Sequence, residues 1–212
     1  MKSVLISIQP KWCEFIASGK KTVEVRKTKP KIDVPFKCYI YCTKNTKKNA
    51  LHTYIRSGYG RKTFGIIEQW RSGKEVVDVN AHLPAYRYNA YLAEGKVIGE
   101  FTCYGIFPVR VFENGGIQDY MCHGMERSLV PYDDIATYIG KNKTGYGWHI
   151  SDLVIYDKPK ELCEFAKPDK CPYNSPIGCT YGGHCYRAGQ AKRCGGYVER
   201  PPQSWCYVEE GD

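Results

Sequence analysis

The first 27 residues constrain the fold most, because they predict a strand, a helix and a second strand in direct succession. Residues 3–9 (SVLISIQ) alternate and are rich in β-branched side chains, which is typical of a strand. In the next segment, Pro10 suits a first helical turn, and Gly19 suits the left-handed position that ends a helix. Residues 18–27 (SGKKTVEVRK) are then a predicted strand that follows directly from the helix end.

Further along the chain, apolar periodicity predicts a protein made mostly of short strands. An acidic start followed by apolar residues at helical spacing predicts a short helix over residues 131–140. Strands are predicted over residues 36–43, 96–112 with a break near Gly105 and Pro108, 146–158 and 204–210. Residues 44–95 show no clean period and contain a predicted turn or mobile loop around Gly58 and Gly60. We therefore predict an α+β fold class, a small mixed barrel formed by a single domain over residues 1–212.

The positive charge is concentrated in one part of the chain. The formal net charge is +9, and residues 20–62 carry 13 basic and two acidic residues, a local balance of +11. Tyr39, Tyr41, Tyr54 and Tyr59 are interleaved with these cations. Clustered positive charge with aromatic residues is typical of a surface that binds a polyanion such as a nucleic acid. The alternatives are a solvated lysine-rich surface and a surface that meets an acidic protein partner.

The chain shows no signal peptide and no membrane-spanning segment. The apolar start Val4-Leu5-Ile6 is interrupted at Ser7 and Pro10, far short of the roughly 18 apolar residues that a spanning helix requires. We therefore expect a cytoplasmic protein without a membrane partner. In a reducing compartment, the 11 cysteines are expected to be buried side chains or metal ligands rather than disulfides.

Five of the cysteines fall in a glycine-rich segment, residues 163–200, that has almost no periodic apolar residues. Such a segment cannot bury enough surface to fold by itself, so we expect a cysteine-rich, zinc-binding insertion before the last strand. The other six cysteines lie in or beside apolar segments and are expected to be small core residues: Cys13, Cys38, Cys42, Cys103, Cys122 and Cys206.

The cysteine spacing in this insertion predicts one structural zinc ion. The four expected ligands, with spacing C-x7-C-x5-C-x8-C, are Cys171, Cys179, Cys185 and Cys194. The first three resemble the start of a Cys-Cys-Cys-His zinc finger. Gly189 occupies the place of the histidine in that pattern, so Cys194 is the expected fourth ligand, with His184 and Cys163 as alternatives.

Of the three most specific sequence motifs, one stands near each end of the chain and one near the middle of its C-terminal half. They read SIQPKWCEFIASGKKTVEVRK (7–27), GWHISDLVIYDKPKEL (147–162) and RPPQSWCYVEE (200–210). Taken together they resemble the ASCH domain family, whose fold is PUA-like. The resemblance implies a small β-barrel with flanking helices and a cleft lined by the GKKTVEVRK turn. Members of this family are regarded as RNA-binding or nucleotide-processing modules.

The resemblance implies a ligand-binding site on the turn between the first helix and the next strand. Lys20, Lys21 and Arg26 would offer charge-assisted hydrogen-bond donors to phosphate. Glu24 would accept a hydrogen bond from a base or sugar, and Ser204 completes the ligand-binding set. Alternatively, Glu24 only pairs with a neighbouring lysine or arginine, an interaction that contributes about 0–1 kcal/mol when exposed.

The main prediction is therefore binding of RNA or a nucleotide-like ligand. A hydrolase acting on RNA or a modified nucleoside is the alternative, and a protein-interaction module is the second alternative. Some ASCH members resemble amidohydrolases that act on acetylated cytidine with a lysine and a threonine nucleophile. Lys21 matches that lysine, but Glu24 stands at the nucleophile position, and a carboxylate does not replace a hydroxyl in acyl transfer. The candidate catalytic residues are Lys21, Thr22, Glu24 and Ser204.

His149 in the GWHISD motif has a side chain that can act as a general acid or base near neutral pH. A structural hydrogen-bonding role is the expected one for a single histidine in a strand. Asp152 alternates to the opposite face of that strand, so the two residues are not expected to form a catalytic pair.

Overall fold

The computed structural model describes residues 2–44, 52–58, 61–67, 89–120, 124–167 and 197–210. The strands are β1 (Ser3–Ile8), β2 (Val23–Arg26), β3 (Phe36–Cys42), β4 (His52–Gly58), β5 (Arg61–Ile67), β6 (Asn89–Leu92), β7 (Val97–Cys103), β8 (Ile106–Val111), β9 (Ile117–Asp119), β10 (Thr144–His149), β11 (Ser151–Lys160), β12 (Phe165–Ala166) and β13 (Trp205–Glu210). The helices are α1 (Pro10–Ala17), α2 (Tyr132–Ile139) and the 3₁₀ helices η1 (Glu126–Ser128) and η2 (Leu162–Glu164). This strand-rich arrangement with few helices confirms the α+β prediction, whereas closure into a barrel stays a prediction. None of the described helices is long and apolar enough to cross a membrane.

The elements predicted around the GKKTVEVRK turn are confirmed. α1 begins at Pro10, and Gly19 has the positive φ, 74°, that the end of the helix requires. The long apolar segment 96–112 divides into β7 and β8 around Gly105. Pro108 does not interrupt the strand, because it lies within β8 opposite Tyr146 of β10.

The described parts of residues 44–95 contain three strands that periodicity did not reveal. They form a sheet with the order β5-β4-β6. Gly58 at the end of β4 stands opposite Arg61 at the start of β5, a register that agrees with the turn predicted there. The sequence of β4, HTYIRSG, holds few apolar residues, so its alternation is too weak to predict a strand.

The described chain divides into two compact units. Unit 1 comprises Met1–Glu14, Tyr39–Gly99 and Ile155–Asp212, and unit 2 comprises Phe15–Cys38 and Glu100–Val154. The borders fall inside α1, β3, β7 and β11. Because these elements are continuous, the division does not test the prediction of a single domain over residues 1–212.

Unit 1 is organised around the antiparallel pair β1 and β13, in which Leu5 stands opposite Cys206. These strands belong to a six-stranded sheet with the order β11-β7-β3-β1-β13-β12. A core cluster packs Tyr39 against Phe165, with ring centroids 4.8 Å apart. Cys206 is half-buried against this cluster. The core placement predicted for cysteines is confirmed for the four that are buried, Cys13, Cys38, Cys42 and Cys103, whereas Cys122 lies outside the described residues.

Unit 2 contains a four-stranded sheet with the order β2-β10-β8-β9 and an apolar core between this sheet and α2. Two glycines in β10 let larger side chains approach the sheet closely. A Cβ atom on Gly147 would lie 2.2 Å from the Phe107 ring, and one on Gly145 would lie 2.6 Å from Ile139 of α2. In the TGYGWH sequence, the two glycines therefore lie on the face of β10 that packs against the core. Thr144, Tyr146 and Trp148 lie on the opposite face.

Candidate functional site

All four residues of β2 are buried, and so is Lys21 directly before the strand. Lys21 is 1% exposed, Glu24 is 6% exposed and Arg26 is 7% exposed. Glu24 stands opposite Trp148 in β10, whose fully buried ring packs edge-to-face on Phe36 at 5.8 Å. Within the GKKTVEVRK turn, Lys21, Glu24 and Arg26 are therefore largely removed from solvent, whereas Lys20 and Lys27 at its two ends are exposed.

Lys21, Glu24 and Arg26 form a buried charge cluster. Glu24 Oε1 lies 3.0 Å from Arg26 Nη2, and Glu24 Oε2 lies 3.3 Å from Lys21 Nζ. Of the two roles open to Glu24 from the sequence, the structure shows the one in which it pairs with neighbouring cations. The pairs are buried, however, and breaking a buried pair costs far more than breaking an exposed one.

The Lys21 ammonium also connects β2 to η1. Its Nζ donates to the carbonyl of Val23 at 2.8 Å and to the carbonyl of Ser128 at 2.6 Å. These carbonyls accept two hydrogen bonds from the ammonium, and Glu24 pairs with it by charge. A main-chain hydrogen bond also joins the turn to η1: the Thr22 N–H donates to the Arg127 carbonyl at 3.1 Å.

Burial lowers the pKa of Lys21, Glu24 raises it in part, and Arg26 lowers it further. A lowered pKa is also a property of catalytic lysines. Here the ammonium faces two main-chain carbonyls and a carboxylate of the protein itself. This geometry is typical of a lysine that holds the turn in place.

The other predicted site residues have separate environments. Lys20 is exposed and Thr22 is half-buried. Ser204 belongs to unit 1, where its carbonyl accepts a hydrogen bond from the Ser7 N–H at 2.9 Å. His149 places Nδ1 3.0 Å from Ser151 Oγ, in line with the structural role expected for it. Asp152 is hydrogen-bonded to Tyr104 and raises the pKa of that phenol.

The predicted zinc ligands fall largely outside the described residues. Cys171, Cys179, Cys185, Cys194 and the alternative His184 are all in the part of the chain that the structure does not describe. The other alternative ligand, in η2, is the half-buried Cys163. Within the described ranges, no group of three or more histidine, cysteine, aspartate or glutamate residues is placed to hold a metal ion. Zinc binding by the insertion stays a prediction.

A pocket of about 460 Å³ opens in unit 2 directly after β2. Residues 27–33, which we call the lysine loop, form one side of it, and Thr144 and Tyr146 of β10 form the other. Lys27, Lys29 and Lys31 are exposed. These cations belong to the basic region of the sequence, but the ligand-binding residues expected from the sequence are others, Lys20, Lys21, Glu24 and Arg26 before the loop and Ser204 near the C-terminal end.

Two of these lysines lie over tyrosine rings. Lys27 Nζ is 5.0 Å from the centroid of the Tyr138 ring, and Lys29 Nζ is 5.6 Å from the centroid of the Tyr146 ring. Alternating lysines in the sequence KTKPK and the tyrosine of TGYGWH are the signals that could have indicated this pocket.

No family model matches the chain, and no curated protein matches it. Similar solved structures do exist, among them a crystal structure of ASCH from Zymomonas mobilis, at 14% identity and a TM-score of 0.48 over 99% of this chain and 98% of that one. A tyrosine-to-phenylalanine mutant of ZmASCH is 16% identical over 99% of this chain and 91% of that one, with a TM-score of 0.48. A serine-to-alanine mutant is 16% identical over 98% and 88%, with a TM-score of 0.49. All three are ASCH structures, the family that the sequence motifs resemble.

Proposed function

We propose that the protein binds RNA or a nucleotide-like ligand through the lysine loop and Tyr146. The observation that carries the proposal is the pocket of about 460 Å³, because it combines three exposed lysines with the half-buried ring of Tyr146. Lysine side chains attract phosphate as point charges, and the flat face of a tyrosine ring stacks on a base. A volume of this size lies within the range of roughly 300–1,000 Å³ that small-molecule pockets occupy.

The buried charge cluster has a positioning role in this proposal. Arg26 ends β2, and the lysine loop begins at the next residue. Holding Lys21 and Arg26 around Glu24 therefore fixes the point from which the loop departs. Lys20 is exposed on the same turn and is able to contact phosphate directly. Direct ligand contact by Lys21, Glu24, Arg26 and Ser204 stays a prediction.

Fluorescence anisotropy with labelled single-stranded RNA tests the proposal. A variant with Lys27→Gln, Lys29→Gln and Lys31→Gln is expected to bind on the order of tenfold or more weakly, because phosphate contacts dominate such affinities. A matched control removes three exposed lysines of unit 1 through Lys2→Gln, Lys11→Gln and Lys158→Gln. Equal weakening by both triple variants would show that only net charge matters and would contradict the proposed site.

The hydrolase alternative has one observation in its favour, the lowered pKa of Lys21. We nevertheless expect no enzymatic deacetylation of acetylated cytidine, because Glu24 stands at the nucleophile position and the Lys21 ammonium is bound to carbonyls. Product formation is measured by liquid chromatography. Turnover that Thr22→Val abolishes, with an unchanged circular dichroism spectrum, would favour the hydrolase instead.

We also propose that the insertion over residues 163–200 binds one zinc ion through Cys171, Cys179, Cys185 and Cys194. The cysteine spacing supports this proposal, and thiolates are preferred zinc ligands. Metal analysis of protein purified without chelator is expected to show about one zinc ion per chain. The content should fall to a trace in the double variant Cys179→Ser and Cys185→Ser. Zinc that is absent from the first sample or unchanged in the second would contradict the site.

A further inference from the structure

The four-stranded sheet of unit 2 has one apolar face and one polar face. Val25, Gly147 and Phe107 stand in register across β2, β10 and β8, and the valine and phenylalanine belong to the core cluster under α2. Because side chains alternate along a strand, the residues between them point to the opposite face. That polar face carries the charged and aromatic residues of β2 and β10.

The polar face consists of three rows of cross-strand neighbours. They are Glu24, Trp148 and Ile106 in the first row, Arg26, Tyr146 and Pro108 in the second, and Thr144, Arg110 and Gln118 in the third. Exposure rises from row to row. In the first row Glu24 and Trp148 are buried and Ile106 is half-buried. In the second row Arg26 is buried, Tyr146 is half-buried and Pro108 is exposed, and all of the third row is exposed. The sheet therefore emerges at the surface along β10.

The exposed part of this face continues the lysine-loop pocket. Thr144 and Tyr146 belong to both, since they line the pocket and also stand in the second and third rows. Lys29 lies over the Tyr146 ring on the loop side. On the neighbouring strand β8, Arg110 is a diagonal neighbour of Tyr146, and such neighbours lie about 7–8 Å apart, roughly the length of one extended nucleotide. Its guanidinium lies over the ring of Phe112, 5.3 Å from the centroid. Tyr146 therefore has a lysine over its ring and an arginine as its diagonal neighbour on the next strand.

We infer that the exposed rows of the polar face form a platform for single-stranded nucleic acid. One base stacks on Tyr146, the lysine loop holds its phosphate, and Arg110 of β8 holds the phosphate of the next nucleotide. The inference rests on the proposed function and adds the strandedness of the ligand and its path across β10 towards β8. Duplex bases stack on each other, so a ring in a sheet face stacks on the unpaired bases of a single strand.

The test uses the full chain and a fluorescently labelled oligouridine of about ten nucleotides, within the site sizes of single-strand-binding folds. Loss of one base stack by Tyr146→Leu is expected to weaken binding about tenfold, and Tyr146→Phe should bind like the unaltered protein. Arg110→Gln should weaken binding about threefold and reduce the salt slope by about 0.7. Tyr132→Leu and Arg200→Gln, at exposed positions, are the matched controls and should leave affinity within about twofold.

Three further probes complete the test: an oligothymidine of equal length, a duplex RNA and an acidic peptide. The single strands are expected to bind more tightly than the duplex and the peptide. If the lysine-loop triple variant loses affinity while the Tyr146 and Arg110 variants match their controls, the platform is wrong and the proposed function stands. Duplex binding as tight as single-strand binding, or tighter binding of the peptide, also overturns the platform. Absence of all nucleic-acid binding overturns both.

Discussion

Two neighbouring stretches of unit 2, residues 21–26 and the lysine loop, are both rich in cations but have opposite environments. Lys21 and Arg26 are buried around Glu24, whereas Lys27, Lys29 and Lys31 are exposed beside a pocket. A buried cation must be matched by acceptors, and its partners are built into the fold. An exposed cation is solvated and can exchange its water for a ligand's phosphate. Adjacent residues of the same type thus divide into a buried structural set and an exposed set, which is the one we propose to bind the ligand.

The comparison predicts a separation of effects. Substitutions in the buried charge cluster should change the free energy of unfolding, and substitutions in the lysine loop should change ligand affinity. Removing one partner of a buried pair costs about 3–5 kcal/mol, against about 0–1 kcal/mol for an exposed pair. Measuring the free energy of unfolding and the ligand affinity of the same variants tests whether the two stretches differ in this way.

The largest effect is expected for Lys21→Met. The substitution leaves Glu24 and the carbonyls of Val23 and Ser128 without the buried ammonium, so the free energy of unfolding should fall by about 3–5 kcal/mol in urea denaturation. Lys29→Met, at an exposed position, should change it by less than about 0.5 kcal/mol. Equal effects of the two substitutions would remove the distinction between the buried and the exposed cations.

An intermediate effect is expected from alkaline pH. Burial raises the pKa of the Cys103 thiol to about 11, above its usual value of 9.0. The stability that this thiol contributes is therefore fully present below pH 9.0 and is lost as the pH rises through about 11. Lys21 has the opposite effect on the pH dependence of stability. Because its pKa is lowered from the usual 10.5, its contribution to the free energy of unfolding increases as the pH rises towards 10.5.

Urea denaturation at pH 8 and at pH 10, with a reductant present, separates these groups. The titration of the Cys103 thiol by itself should lower the free energy of unfolding by about 1 kcal/mol from pH 8 to pH 10. The Cys103→Ala variant should not show this part of the decrease. The same pH dependence in the protein and in Cys103→Ala would show that the thiol is not responsible.

The smallest effect is expected for a single substitution in the lysine loop. Lys29→Gln removes one exposed charge beside the Tyr146 ring, so single-stranded RNA should bind about threefold more weakly. The free energy of unfolding should stay within about 0.5 kcal/mol of that of the unaltered protein. A large loss of stability in this variant would place Lys29 in the structural set.

The elements around the site could be predicted because their signals are local. Pro10 and Gly19 mark the two ends of α1, and the apolar residues of SVLISIQ alternate within one strand. Strand β4 could not be predicted, because few apolar residues define its faces, and β5 and β6 lie in segments whose apolar residues show no clean period. Local patterns therefore describe where elements begin and end, but not how polar strands pair.

The burial of Lys21 could not be predicted from the sequence, because it depends on groups that are distant along the chain as well as on the nearby Val23 and Glu24. The carbonyl that it reaches on Ser128 is 107 residues away, and Trp148 stands opposite Glu24 only in the folded sheet. The composition of residues 20–62 showed the excess of positive charge. Which of those cations are exposed depends on β10 and η1, which lie outside that segment.

The most direct test of the division between the two stretches is the salt dependence of single-stranded RNA binding. Affinity is measured at several salt concentrations for the unaltered protein and for the variant Lys27→Gln, Lys29→Gln and Lys31→Gln. If the lysine loop neutralises phosphates, the slope of log K against log salt should become shallower by about 2 in the variant, at about 0.7 for each lost contact. Identical slopes for the two proteins would contradict binding by the lysine loop.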